Sequence, residues 1–105
     1  MIRVTVLYPK TSESHFDMDY YLNKHTPMVI DRLMPLGMVR LEVDEGLSGL
    51  GPDQPPTYSA IAYLIFGNIE ALQNGLAAHG AEIMGDIANY TNVQPQIQIN
   101  RIAVG

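Results

Sequence analysis

Apolar residues recur along this chain with two different periods, and the switches between them mark its elements. Ile2 to Tyr8 is rich in β-branched residues and bounded by Pro9, which predicts a strand. Thr11 to His15 is polar and predicts a loop. Asp17 is placed to cap a helix, because its carboxylate can accept a free N–H of the first turn. Met18, Tyr21, Leu22, His25, Val29 and Leu33 then recur at three- and four-residue steps, the mark of one helix face. Pro27 lacks a backbone donor and crowds the carbonyl of Asn23, so a kink is predicted there. Pro35 and Gly37 end the helix.

The period then shortens. Val39, Leu41 and Val43 alternate with Arg40, Glu42 and Asp44, which predicts a strand over 38–45 with one wet face. Residues 46–57 hold Gly and Pro in quantity and predict a long loop, a lid or a dimer-clasping arm. Tyr58 to Phe66 is nearly unbroken apolar sequence and predicts a strand buried on both sides. Asn68 caps a helix over 69–78, and a break near His79 and Gly80 predicts a second short helix over 80–88. Val93, Pro95, Ile97 and Ile99 alternate with amides, which predicts the last strand over 93–102.

Strand–helix–strand–strand–helix–strand is the ferredoxin-like βαββαβ order of an α+β sandwich. Right-handed crossovers put both helices on one face of the sheet. The two central strands are apolar on both sides, and two helices cover only one. A bare second face would be an apolar patch larger than soluble monomers expose. Sheet-to-sheet pairing in a two-fold homodimer removes it. The expected architecture is therefore a dimeric α+β barrel, with a hollow beside His25.

Composition adds limits. The chain has 105 residues and is expected to form one domain, 1–105. Charged residues make up 16 %, below the usual ~25 %, which fits a surface partly covered by a partner. The net charge is −5 and the Lys and Arg residues form no cluster, so neither nucleic acid nor an anionic membrane is an expected partner. Cysteine is absent, which excludes disulfide and thiolate chemistry. The N-terminus lacks a signal-peptide pattern and no run reaches the ~20 apolar residues of a span. A cytoplasmic location is the expectation.

His25 is the leading candidate for chemistry. It shares a helix face with Tyr21, one turn earlier. Its unperturbed pKa near ~6.5 lets it take or give a proton at neutral pH. The competing reading is a core histidine bonded to a carbonyl or a tyrosine. The tyrosines (Tyr8, Tyr20, Tyr21, Tyr58, Tyr63, Tyr90) outnumber the phenylalanines, and buried phenols need partners, so some are expected to line a polar-tipped cavity. Asn89 and Thr91 either belong to that site or cap and turn the chain. His79, Glu82 and Asp86 would share a face of a continuous helix, but Gly80 and Gly85 weaken it, so a solvated face or cap is preferred and no metal is assigned. Phosphate-loop, dinucleotide and nucleophile-elbow patterns are absent.

Phe16-x-x-x-Tyr20-Tyr21-x-x-x-His25-x-Pro27 resembles the motif of the EthD family. The opening strand ending Val6-Leu7-Tyr8-Pro9 and the late Asp86-Ile-Ala-Asn89-Tyr90-Thr91 are similar to it too. The resemblance covers essentially the whole chain and implies a dimeric α+β barrel. The first EthD was tied to breakdown of an ether fuel additive in an accessory role. Related barrels include cofactor-free monooxygenases, lactone isomerases, dehydratases and haem-handling enzymes. Tyr20, Tyr21, His25 and Pro27 match the family motif. Family members often carry tryptophan where this chain has Tyr21, a change in pocket size and polarity. The resulting expectation is a cofactor-free isomerase, dehydratase or oxygenase-like enzyme acting on a small apolar or aromatic compound. His25 would be the proton-transfer group, with Tyr8, Tyr20, Tyr21, Asn89 and Tyr90 as ligand-binding residues. The alternative is a non-catalytic binding or accessory protein in a degradation pathway.

Overall fold

The computed structural model describes all 105 residues. Strand β1 spans Ile2–Pro9, β2 Met38–Glu45, β3 Tyr58–Phe66 and β4 Gln96–Arg101. They form one antiparallel sheet in the order β2-β3-β1-β4, the ferredoxin-like arrangement. Helix α1 covers residues 18–33 and closes in a 3₁₀ turn, Met34–Leu36. Helix α2 spans Ile69–Gly85 and is followed by a 3₁₀ turn, Ile87–Asn89. No helix is long and apolar enough to cross a membrane.

Both predicted helix starts are present. Asp17 accepts the N–H of Tyr20 at 3.0 Å, and Asn68 accepts that of Ala71 at 2.8 Å. The kink expected at Pro27 takes the form of a π turn over Tyr21–His25. Pro27 cannot donate to Asn23 and its ring would strike that carbonyl. The backbone widens ahead of it, and the N–H of Thr26 reaches Tyr21 in place of Leu22. The carbonyl of Leu22 is taken up by the Thr26 hydroxyl at 3.2 Å. The wider turn keeps Tyr21 and His25 both inward, 1 % and 4 % exposed, while Leu22 turns out at 46 % and leaves the predicted stripe. Gly37 ends the helix in the left-handed region (φ 110°), where other residues are strained.

Three features differ from the sequence reading. Helix α2 runs unbroken through His79 and Gly80, so the expected second helix over 80–88 is the end of the first. A helical glycine costs only about 1 kcal/mol relative to alanine, and packing outweighs it: Leu72 and Gly75 are buried on this helix. Strand β4 begins at Gln96, because Pro95 has no N–H to offer a ladder. Strand β2 carries a bulge between Met38 and Arg40, which opposes Phe66 and Ile65. The bulge lets Met38 and Leu41, of opposite parity, face the same side, and it turns Val39 outward to 43 % exposure.

Two core clusters lie under the helices. The aliphatic one joins Val4, Val29, Leu33, Met38, Phe66 and Leu72. The aromatic one is built on Tyr8, Tyr21, Ala60 and Tyr90, with Phe16 packed against it. On the far side of the sheet the register places Leu7, Thr5 and Arg3 of β1 opposite Ile61, Tyr63 and Ile65 of β3, and Ile65 is already buried at 1 % exposure. Arg40, Glu42 and Asp44 flank these columns on β2, and Gln96, Gln98 and Asn100 on β4. The far face is thus a short apolar stripe of Leu7, Ile61 and Tyr63 between polar borders, with Thr5 and Arg3 completing the β1 column, where the sequence predicts central strands apolar on both sides. The loop over 46–57 projects Leu47 and Leu50 into solvent, 88 % and 104 % exposed.

Candidate functional site

The segment before α1 is stitched to the segment before β4, and this sets up the site. Asp17 donates its N–H to the Tyr90 carbonyl at 2.7 Å, and Thr91 donates its hydroxyl to the His15 carbonyl at 2.7 Å. Asn92 accepts the N–H of His15 at 2.9 Å. These ties press Tyr90 against α1. Its ring centroid lies 4.6 Å from that of His25 and 4.9 Å from that of Tyr21. Tyr21 stacks on His25 at 5.4 Å and 16°, one helical turn apart as the spacing predicts.

His25 Nδ1 lies 2.9 Å from Asp86 Oδ2. The carboxylate can only accept, so Nδ1 carries the hydrogen and Nε2 is the acceptor of the neutral ring. Asp86 also accepts from the Tyr20 hydroxyl at 2.7 Å and from Asn89 Nδ2 at 2.9 Å. Burial works to raise the Asp86 pKa, but the bonds from Asn89, His25 and Tyr20 outweigh it and hold the carboxyl below its ordinary value. The Tyr20 pKa is raised in turn, chiefly by its bond to Asp86. Beyond the imidazole, the Tyr90 hydroxyl is 3.4 Å from Nε2 and 2.7 Å from the Tyr8 hydroxyl. Burial pushes the phenols of Tyr8, Tyr21 and Tyr90 well up. They stay protonated at neutral pH. No buried side-chain polar atom lacks a partner.

A cavity lies between the two core clusters, enclosed by the sheet and both helices. Its free volume open to a water-sized molecule is ≈ 60 Å³, several times the roughly 10–15 Å³ that admits one water. Eleven of its 13 lining residues are hydrophobic, and His25 is the one titratable nitrogen base among them. Tyr8 and Tyr21 share the wall. Met84 and Ile97, 43 % and 48 % exposed, mark its open edge. The hollow belongs to one subunit and lies on the helix side of the sheet. No residue of the 46–57 loop lines the cavity.

The residues singled out in the sequence therefore divide. Tyr8, Tyr21 and His25 are on the cavity wall, Tyr90 sits behind it, and Tyr20 and Asn89 lie on the outer side of Asp86. For Asp86 the sequence predicts a solvated face or a cap, with a metal ligand as the lesser reading. It turns to His25 instead, and no three His, Asp or Glu side chains converge to hold a metal. One signal marked it: an acid just past α2's end opposes the helix dipole, so it needs a nearby donor.

No protein-family model matches the chain, and no curated protein matches it significantly. Solved structures do. An EthD-like protein from Ralstonia eutropha JMP134 is 40 % identical, with a TM-score of 0.91 over 98 % of this chain and 92 % of that one. An EthD family protein from Bacillus halodurans C-125 is 16 % identical, with a TM-score of 0.66 over 96 % and 97 %. An antibiotic biosynthesis monooxygenase is 11 % identical, with a TM-score of 0.51 over the full length of both. The last two show a shared fold alone. The first shares sequence as well across nearly the whole of both molecules, and the chain belongs to the EthD family.

Proposed function

We propose that this protein is a small-molecule enzyme whose His25 moves a proton to or from a neutral, apolar or aromatic compound held in the cavity. The observation that carries this reading is the His25–Asp86 pair at the edge of an otherwise greasy hollow. A carboxylate bonded to Nδ1 fixes the ring's tautomer and stabilises the imidazolium once Nε2 takes a proton. Isomerisation, dehydration and decarboxylation all need such a group and require no cofactor. The apolar lining selects neutral compounds by the area it removes from water.

We further propose that the 105 residues act as one domain and that two copies pair sheet to sheet as a dimeric α+β barrel. The half-buried Leu7, Ile61 and Tyr63 on the far face support that pairing.

A thermal-shift screen of small phenols and carbonyl compounds, run on the wild type and His25→Ala together, tests the site. A ligand at 100 times its Kd stabilises by about 2.7 kcal/mol. The shift is expected in the wild type and much reduced in the variant. Equal shifts would remove His25 from the site. A bound compound recovered unchanged after long incubation would mark a binding or accessory protein instead.

A further inference from the structure

His25 lines the cavity, yet neither of its ring nitrogens is free. Nδ1 is held by Asp86 at 2.9 Å and Nε2 faces the Tyr90 hydroxyl at 3.4 Å. Tyr90 does not reach the cavity, but its hydroxyl bonds at 2.7 Å to that of Tyr8, which does. A path of two phenols therefore joins the imidazole to the cavity wall. Asp86 sets the direction of the chain. Nδ1–H points at the carboxylate, so Nε2 accepts from Tyr90, and the Tyr90 oxygen accepts from Tyr8. Every hydrogen points toward Asp86, which leaves the Tyr8 oxygen with lone pairs to offer. Tyr21 stands on the same wall, its phenol beside that of Tyr8.

We propose that the cavity takes a small compound with a weakly acidic hydroxyl, a phenol or an enol, and that Tyr8 is the group that receives its proton. This rests on the reading of the cavity as the ligand site and of His25 as its base. In the step, the ligand O–H breaks as a new Tyr8 O–H forms. The hydrogen Tyr8 carried passes to Tyr90, and that of Tyr90 passes to His25 Nε2. Each phenol gains one proton as it loses one, so no tyrosinate accumulates, and no electrons change hands. The products are a ligand oxyanion and an imidazolium beside the Asp86 carboxylate. The Tyr8 hydroxyl is left to donate to the oxyanion. The 3.4 Å link from Tyr90 to His25 is the loose joint, of the kind that tightens when a site fills. Asp86 also faces a second, open cleft with Tyr20, Lys24 and Glu82, which gives the proton a way out to solvent. A ketone brings lone pairs and no hydrogen, so it gives Tyr8 nothing to receive.

The probe is 4-nitrophenol, whose phenolate absorbs in the visible, compared with 4-nitrotoluene, its isostere without the hydroxyl. In the wild type, nitrophenol is expected to bind more tightly than nitrotoluene and to show the phenolate band at a pH where the free compound is protonated. Tyr8→Phe is expected to weaken nitrophenol about tenfold, the scale of one hydrogen bond to a charge-bearing group, and to leave nitrotoluene unchanged. Tyr90→Phe is expected to bind nitrophenol without the band. Asp86→Asn, outside the cavity, is expected to lose the band too and to keep nitrotoluene, which covers the case of a misfolded Tyr90 variant. A band retained in Tyr90→Phe but lost in His25→Gln would mean direct contact with His25 and overturn the relay, leaving the cavity reading intact. Equal affinity for the two probes in the wild type would overturn the hydroxyl preference. Binding of neither probe would bring down the cavity reading and the relay with it.

Discussion

Asp86 decides what His25 can do. Its carboxylate gathers hydrogen bonds from His25, Tyr20 and Asn89 and is held in the ionised form by them. The consequence for stability has a definite sign. A carboxyl whose folded pKa is lowered adds stability above its unfolded value, near pH ~3.9, and loses it as pH falls through the folded value. Asp86→Asn is therefore expected to be less stable than the wild type at pH 7, with the gap closing below about pH 4. Urea melts from acid to neutral pH measure this, and a gap constant across the range would remove Asp86 from the acid response. Sequence reading reached His25 and the tyrosines because a polar ring on a helix stripe is visible in one dimension. It passed over Asp86 as a partner because the contact spans 61 positions and no local period reports it.

At the scale of elements, periodicity located all four strands and both helices, and it failed where one residue changes the phase. Met38 and Leu41 cannot share a face in a regular strand, so the β2 bulge was invisible to a rule of alternation. Gly80 looked like a break because propensity was read without the packing that overrides it. The turn from β2 into the 46–57 loop shows the opposite case, in which a glycine is obligatory. A Cβ at Gly46 would stand 2.1 Å from the Tyr58 carbonyl and 2.9 Å from the ring of Pro56. Gly46→Ala is expected to cost about 1–3 kcal/mol as the hairpin's base is forced apart. That corresponds to a fall in Tm of roughly 4–8 °C per kcal/mol for a domain near this size. An unchanged Tm would show that the base of the hairpin yields freely.

For the whole molecule, the far face of the sheet is the feature that composition foresaw and the register refined. Its apolar stripe runs between a charged border and an amide border. A uniform patch would pair in any orientation, whereas polar borders favour one in which each donor finds an acceptor. Ile61→Asp, placed in the stripe opposite Leu7, is expected to give single subunits in analytical ultracentrifugation while the wild type sediments at twice that mass. A wild type that remains single at micromolar concentration would refute the pairing. The cavity would survive that result, since one subunit's own sheet and helices enclose it.

The π turn at Tyr21–His25 spends five residues where an ordinary coil spends fewer. Deleting Lys24 would put Tyr21 four places before Thr26, so the carbonyl that now closes the wide turn would close an ordinary one and α1 would return to common winding. Tyr20 and Tyr21 would keep their facing, but Tyr21 and His25 would stand three places apart instead of four. The surplus residue is what spaces the phenol from the imidazole it lies on.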